Sequence, residues 1–324
     1  MDIPSKGGPS PLSKKPFHFT DFKDPASRFR QFLTDKTKKQ RKWKVELPRK
    51  HGATYLVERG YELETYLDTK GALAFYEEAL DLEPNHTQAL LRCSKALSDL
   101  TLEPGTSEAN AQALVTRAVA LAERAVELNG ADPLAHLARA INLGRLALYS
   151  STKTKVDLVR AVRVGAEKAI ELNKDEDLGY HLLGRWHNEM GSLSFIVKLA
   201  INVFYGGLEE GTHLDAKRLF EKCIVLNPKR MIHHIELGRT YIKLNMPEKA
   251  SEVLTSALHS GMEVEDINAL HEKYDAEAML AELNRGGAGS SSWRSMTPQW
   301  LKAARAHEQQ RKRQSTHTIF QEET

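Results

Sequence analysis

Cysteine is nearly absent from the 324 residues: Cys93 and Cys223 are the only two, and each sits inside an apolar pattern of helical period. Two thiols cannot build the framework of bridges that holds small secreted folds, and this placement predicts buried, reduced side chains rather than a bridge or a metal site. Long apolar runs are missing as well. The longest, Leu193 to Tyr205, is interrupted by Lys198 and Asn202 and falls short of the ~18–20 residues that a membrane span needs. The residues after Met1 are polar and rich in proline and glycine, and Asp21 and Asp24 stand where a transit peptide avoids acid. Neither a secretory nor a mitochondrial signal is therefore expected, and the predicted address is the cytosol.

The signatures of catalysis are missing too. No His-Glu-x-x-His or Cys-x-x-Cys occurs, and the glycine pairs at 206–207 and 286–287 lack the Lys-Ser/Thr and the preceding strand of a phosphate-binding loop. Thirteen histidines are present, but their spacing argues against a metal centre. His181 and His187 fall on different faces of one predicted helix, while the adjacent His233 and His234 diverge by about 100°. We expect no catalytic residue, no metal ligand and no cofactor, and read the histidines as groove or surface side chains.

What is present is enough apolar material for a core, 41% of residues, together with 27% charged residues and a mean hydropathy of −0.47. Charge is segregated. Residues 1–50 carry 14 Lys and Arg against 5 Asp and Glu, residues 286–324 carry 6 against 3, and the body between them is net acidic although the whole chain is +3. An acidic body with basic ends predicts contact with an anionic partner such as tubulin, phospholipid headgroups or nucleic acid.

Three regions follow from composition. Residues 1–50 read as a basic disordered leader, 51–285 as a helical domain, and 286–324, opening on Gly-Gly-Ala-Gly-Ser-Ser-Ser, as a flexible basic tail. Within the middle region a pattern returns at a period near ~34 residues. Ala72, Tyr76, Ala79 and Pro84 recur as Ala118, Ala122 and Ala125, as Ala166 and Ala169, as Ala216, Phe220, Cys223 and Pro228, and as Ala250, Leu254 and Ala257. Gly60, Gly184 and Gly238 mark the preceding helix of three of these units, where a partner helix would approach its backbone closely.

These residues resemble the tetratricopeptide repeat, which Leu237, Gly238, Tyr241, Ala250 and Ala257 match from a start at Met231 without a gap. The resemblance implies an all-α tetratricopeptide-like solenoid of about five helix pairs plus a capping helix, Val264–Asn284, whose charged face points outward, with disordered tails. Insertions are expected around Thr101–Ala111 and Ser194–His213. The second insertion narrows the likeness: the stretch from Gly179 to Gly207, with Leu183, Gly184 and Trp186, followed by Leu237-Gly238-Arg239-Thr240-Tyr241, is similar to the regulator of microtubule dynamics family of tetratricopeptide proteins.

Function is then expected of surfaces. By resemblance the chain is a non-enzymatic adaptor associated with microtubules or the spindle in the cytoplasm, with a protein or peptide ligand in its concave groove. Repeat starts at Thr87, Asp177 and Met231 place Lys95, Arg185, Arg239 and Lys243 in that groove, either to receive carboxylates or phosphates of a partner or to pair with acidic neighbours. Lys36, Lys38, Lys39, Arg41, Lys42, Lys44, Arg49 and Lys50 are the expected contacts to tubulin's carboxylate-rich surface. The apolar insertion around Phe195 and Phe204 is expected to be an extra core helix filling the inner curve. Its alternative is a contact to lipid, in which case the chain is a lipid-binding or tethering module, peripheral on an organelle membrane. The aromatic run Phe17 to Phe22 resembles the two-phenylalanine motif read by endoplasmic-reticulum receptors, with His18 and Asp21 departing from it, and a short anchor onto the first helix pair is the other reading. Nucleic acid ranks third, since Trp43 and the basic residues come without a recognisable binding fold.

Overall fold

The computed structural model describes residues 52–285 apart from 104, 260 and 263, all within one compact unit. The basic leader, the aromatic run and the tail lie outside the described residues. Twelve α-helices and one short 3-10 turn are found among them. They form five antiparallel pairs: α1 (Ala53–Thr65) with α2 (Thr69–Leu82), α3 (Thr87–Leu100) with α4 (Glu108–Leu128), α5 (Pro133–Leu146) with α6 (Thr152–Leu172), α7 (Asp177–Gly191) with α9 (His213–Leu226), and α10 (Met231–Lys243) with α11 (Pro247–His259). An inserted helix, α8 (Phe195–Tyr205), follows α7, and α12 (Ile267–Asn284) closes the stack. The insertion expected around Thr101–Ala111 is divided between a loop and the first turn of α4.

Local chemistry sets these boundaries. Asp68, Ser107, Ser151, Ser194, Thr212 and Asp266 each precede a helix and accept a hydrogen bond from a backbone N–H of its first turn. Asp132 does the same for α5, which opens on Pro133, where a missing N–H costs nothing.

The repeated small residues are the core. Ala72, Ala79, Ala118, Ala122, Ala125, Ala166, Ala169, Ala216, Ala250 and Ala257 are buried, so the second helix of each pair lies close against its neighbours. A large side chain from that helix fills the space that glycine leaves on the first. A Cβ added at Gly60 would stand 2.3 Å from Tyr76, one at Gly184 2.9 Å from Phe220, and one at Gly238 2.6 Å from Leu254 Cγ. Gly238→Leu is therefore expected to cost about 1–3 kcal/mol or more by overpacking. Urea denaturation checks this, and a midpoint equal to that of the wild type would refute the register from Met231. Cys93 and Cys223 are free and buried, and burial pushes the Cys93 thiol up to about 12 and that of Cys223 higher still.

Two expectations need correction. The apolar insertion is not a core helix, because α8 has no buried residue: it sets Lys198, Ile201 and Tyr205 toward the body, while Phe195 and Phe204 are 78% and 75% exposed. The closing helix begins at Ile267, with Asp266 as its N-cap, rather than at Val264. Its charges are not confined to an outer face, since Glu272 is buried.

Candidate functional site

The first helices of successive pairs, α1, α3, α5, α7 and α10, neighbour one another and line the inner face. Their cations meet carboxylates there. Lys95 of α3 lies 2.7 Å from Asp99, 3.1 Å from Glu64 of α1 and 3.1 Å from Asp266 at the start of α12. Burial disfavours its charge, but Asp99, Asp266 and Glu64 outweigh burial and hold the ammonium well above the ordinary lysine range. Glu64 also takes Arg92 at 3.0 Å and the hydroxyl of Tyr76 at 2.8 Å, so the first two pairs are joined through one buried carboxylate.

Arg239 of α10 is 4% exposed and surrounded by acid. It donates to Glu236 on its own helix and to Glu272 at 2.9 Å, and it lies 3.7 Å from Asp275, the last two on α12. Burial opposes the guanidinium's charge and these three carboxylates more than compensate, raising its pKa. Arg185 of α7 approaches the same group, 3.5 Å from Glu236 and 3.9 Å from Glu272. Glu272 is in turn held below the usual carboxylate range, because Arg239 and Arg185 outweigh its burial. Lys243 sits apart, donating to Ser192 Oγ at 3.0 Å and to the Asn188 carbonyl at 3.4 Å, with Glu189 at 3.9 Å. Burial lowers its pKa, with Glu189 opposing.

The structure thus brings Arg185 and Arg239 together beside the middle of α12, places Lys95 at its N-cap, and leaves Lys243 near the end of α7. Arg145 belongs to the same inner face and the sequence reading passed over it. Its guanidinium donates to the Ser98 carbonyl at 3.0 Å and to Thr101 at 3.1 Å. A repeat start at Pro133 puts it at the place that Lys243 occupies from Met231, so the same rule applied to the third pair would have found it. Also missed is a polar chain between α7 and α10. Asp177 lies 2.6 Å from His233 Nε2, and His233 Nδ1 lies 2.9 Å from His181 Nδ1, with Arg230 2.9 Å from Asp177. Among the described residues no group of three or more His, Cys, Asp or Glu side chains could hold a metal ion, and no helix is long and apolar enough to cross a membrane.

A stack of helix pairs with buried alanines and with glycines at their close approaches is the fold of a tetratricopeptide solenoid. A solved tetratricopeptide protein of Thermus thermophilus shares this fold, with a TM-score of 0.55 at 12% identity over 72% of this chain and all of that one. More specifically, residues 56–284 match the family model described as regulator of microtubule dynamics protein 1-3, and the chain belongs to that family. It is similar to regulator of microtubule dynamics protein 1 of Bos taurus, 30% identical over 206 residues, and of Mus musculus, 29% identical over 206 residues. These alignments cover 63% of this chain and 62% and 65% of the relatives, so the match spans just under two thirds of their length.

Proposed function

We propose that this chain is a non-enzymatic adaptor that associates with microtubules in the cytoplasm or on the spindle, holding a protein partner on its inner face while basic residues outside the solenoid engage tubulin. The family match over residues 56–284 carries this reading. A continuous inner face of first helices suits the capture of a helix or an extended peptide. Lys36, Lys38, Lys39, Arg41, Lys42, Lys44, Arg49 and Lys50 supply a dense cationic segment for tubulin's acidic tails. Deleting residues 1–50 is expected to preserve the helical signal and weaken co-sedimentation with stabilised microtubules, and the intact protein is expected to release as salt rises. Equal pelleting at low and ~0.3 M salt would overturn the electrostatic account.

A second reading has its own observation. One face of α8 presents Phe195, Ile196, Leu199, Val203 and Phe204 outward, each at least half exposed. Arg160 of α6 secures the far end of the helix by donating to the carbonyls of Tyr205 and Gly207. A tethered helix with an apolar outer face is suited to lying in a bilayer interface. If it does, Phe195→Asp with Phe204→Asp lowers co-flotation with vesicles containing anionic phospholipid by tenfold or more and leaves microtubule pelleting unchanged. Unchanged flotation refutes it.

A further inference from the structure

We propose that α12 is an internal occupant of the inner face, standing where a partner's acidic helix with carboxylates and apolar side chains on one face binds, and that such a partner engages this face by displacing it. The proposal deepens the adaptor reading and rests on the inner face being its binding surface.

The observation behind it is the reach of α12. A terminal helix of a solenoid needs only to cover its nearest neighbours. Part of α12 does that, with Ala276 and Met279 packed in one cluster with Met231, Ile235 and Ile242 of α10 and Leu254 of α11. Its polar residues go further. Asp266 reaches Lys95 on α3, His271 is held against the backbone of Leu102 just beyond α3, and Glu272 lies between Arg185 of α7 and Arg239 of α10. One helix therefore meets the second, fourth and fifth pairs, across the face that the repeat devotes to ligands.

The contacts also describe the ligand. Cations on three inner helices each take a carboxylate from α12 or its N-cap: Lys95 from Asp266, Arg185 from Glu272, and Arg239 from Glu272 and Asp275. Arg185 and Arg239 otherwise both lean on Glu236. A segment that replaced α12 would have to bring carboxylates to the same cations and apolar side chains to the bed of Met231 and Ile235. That chemistry is an acidic helix with carboxylates and apolar side chains on one face, as Glu272, Asp275, Ala276 and Met279 are placed on α12; neither an uncharged peptide nor a basic one supplies it.

The connection from His259 to Ile267 contains Gly261, whose φ of +69° suits glycine. Lys95 keeps Asp99 and Glu64 when Asp266 leaves, so this end of the strap can be released without stranding the ammonium. A tethered segment competes at an effective concentration near millimolar, which is why a free partner of ordinary affinity would bind weakly until the strap loosens.

The test uses the full chain and a fluorescent peptide of residues 266–285. In hydrogen exchange of the wild type, α12 amides are expected to exchange at least tenfold faster than those of α10 and α11. In the variant Asp266→Ala with Asp275→Ala the peptide is expected to bind at least tenfold more tightly than to the wild type, and a peptide carrying Glu272→Lys and Asp275→Lys is expected not to bind. The proposal fails if α12 exchanges no faster than α10 and α11, or if the altered peptide binds as well as the native one. Microtubule pelleting of the same variant separates this outcome from the adaptor reading. Peptide binding with unchanged pelleting keeps the strap and assigns the face to a partner other than tubulin. Loss of the strap, with pelleting still dependent on residues 1–50, leaves the adaptor reading standing alone.

Discussion

Replacing Arg239 by alanine is expected to lower the unfolding free energy by about 3–5 kcal/mol, the range found when one partner of a buried ion group is removed. The guanidinium lies among Glu236, Glu272 and Asp275, and both it and Glu272 are almost completely withdrawn from water. Alanine leaves those carboxylates facing one another with Arg185 beside them, and the buried Glu236 and Glu272 must then stay desolvated with less compensation or take up a proton. Removing charge of both signs is less damaging, since apolar replacement of a buried pair is often near neutral. Arg239→Met with Glu272→Met should therefore lose less than Arg239→Ala alone. Equilibrium denaturation in urea checks both, and a loss below about 1 kcal/mol for Arg239→Ala would show that water reaches the group and that the pairing is of the weak surface kind. Because of this cost, loss of partner capture in an Arg239 variant reports on binding only if its unfolding curve is measured alongside.

The repeat register was legible in the sequence because it rests on close approach, and close approach leaves a compositional mark. Gly60, Gly184 and Gly238 stand where only a hydrogen fits beneath Tyr76, Phe220 and Leu254, and that constraint can be read from one chain. The outward face of α8 was not legible. Its apolar residues have the period of a helix, and the same period describes a helix buried in the core and one turned outward. Nor could the sequence tell where the carboxylates of α12 would lie. Asp266, Glu272 and Asp275 look like the solvated charges of an end cap, and only the curvature of the stack brings α3, α7 and α10 within their reach. The His181–His233 contact escaped for a related reason: a search for spacings within one helix cannot find two side chains 52 positions apart on neighbouring helices.

Mild acid is expected to destabilise the fold through five histidines whose charged form burial disfavours, His181, His187, His213, His233 and His271. In the pair, His233 Nε2 donates to Asp177, so its Nδ1 accepts from His181 Nδ1, and one proton is shared between two nitrogens 2.9 Å apart. A further proton on His233 Nδ1 would meet the one that His181 already donates there. Burial holds His181 well below the ordinary histidine range, with repulsion from His233 and Arg185 adding to it. Burial also lowers His233, against the opposing pull of Asp177. His271 is pushed down to about 4 by burial, which the neighbouring Glu272 only partly offsets. In the unfolded chain each returns to ~6.5, so below that pH the unfolded state binds protons that the folded state refuses, and stability falls as pH falls. Each histidine contributes at most about 1.4 kcal/mol per pH unit, and the half-buried His271 contributes less than its full share. The acidic groups act elsewhere or in the opposite sense. Asp177, Asp266 and Glu272 are held below their usual values and lose their contribution only at lower pH, while Asp99 and Glu176, raised by burial, bind protons in the folded state and soften the decline. Between about 6.5 and 5 the histidines supply the falling part of the curve, with Asp99 and Glu176 opposing it. Urea midpoints measured across this window should fall, and His271→Gln should flatten the slope by up to one proton while leaving the dependence carried by His181, His187, His213 and His233. A midpoint that stays constant across the window would mean that these rings are solvated and free to charge within the fold.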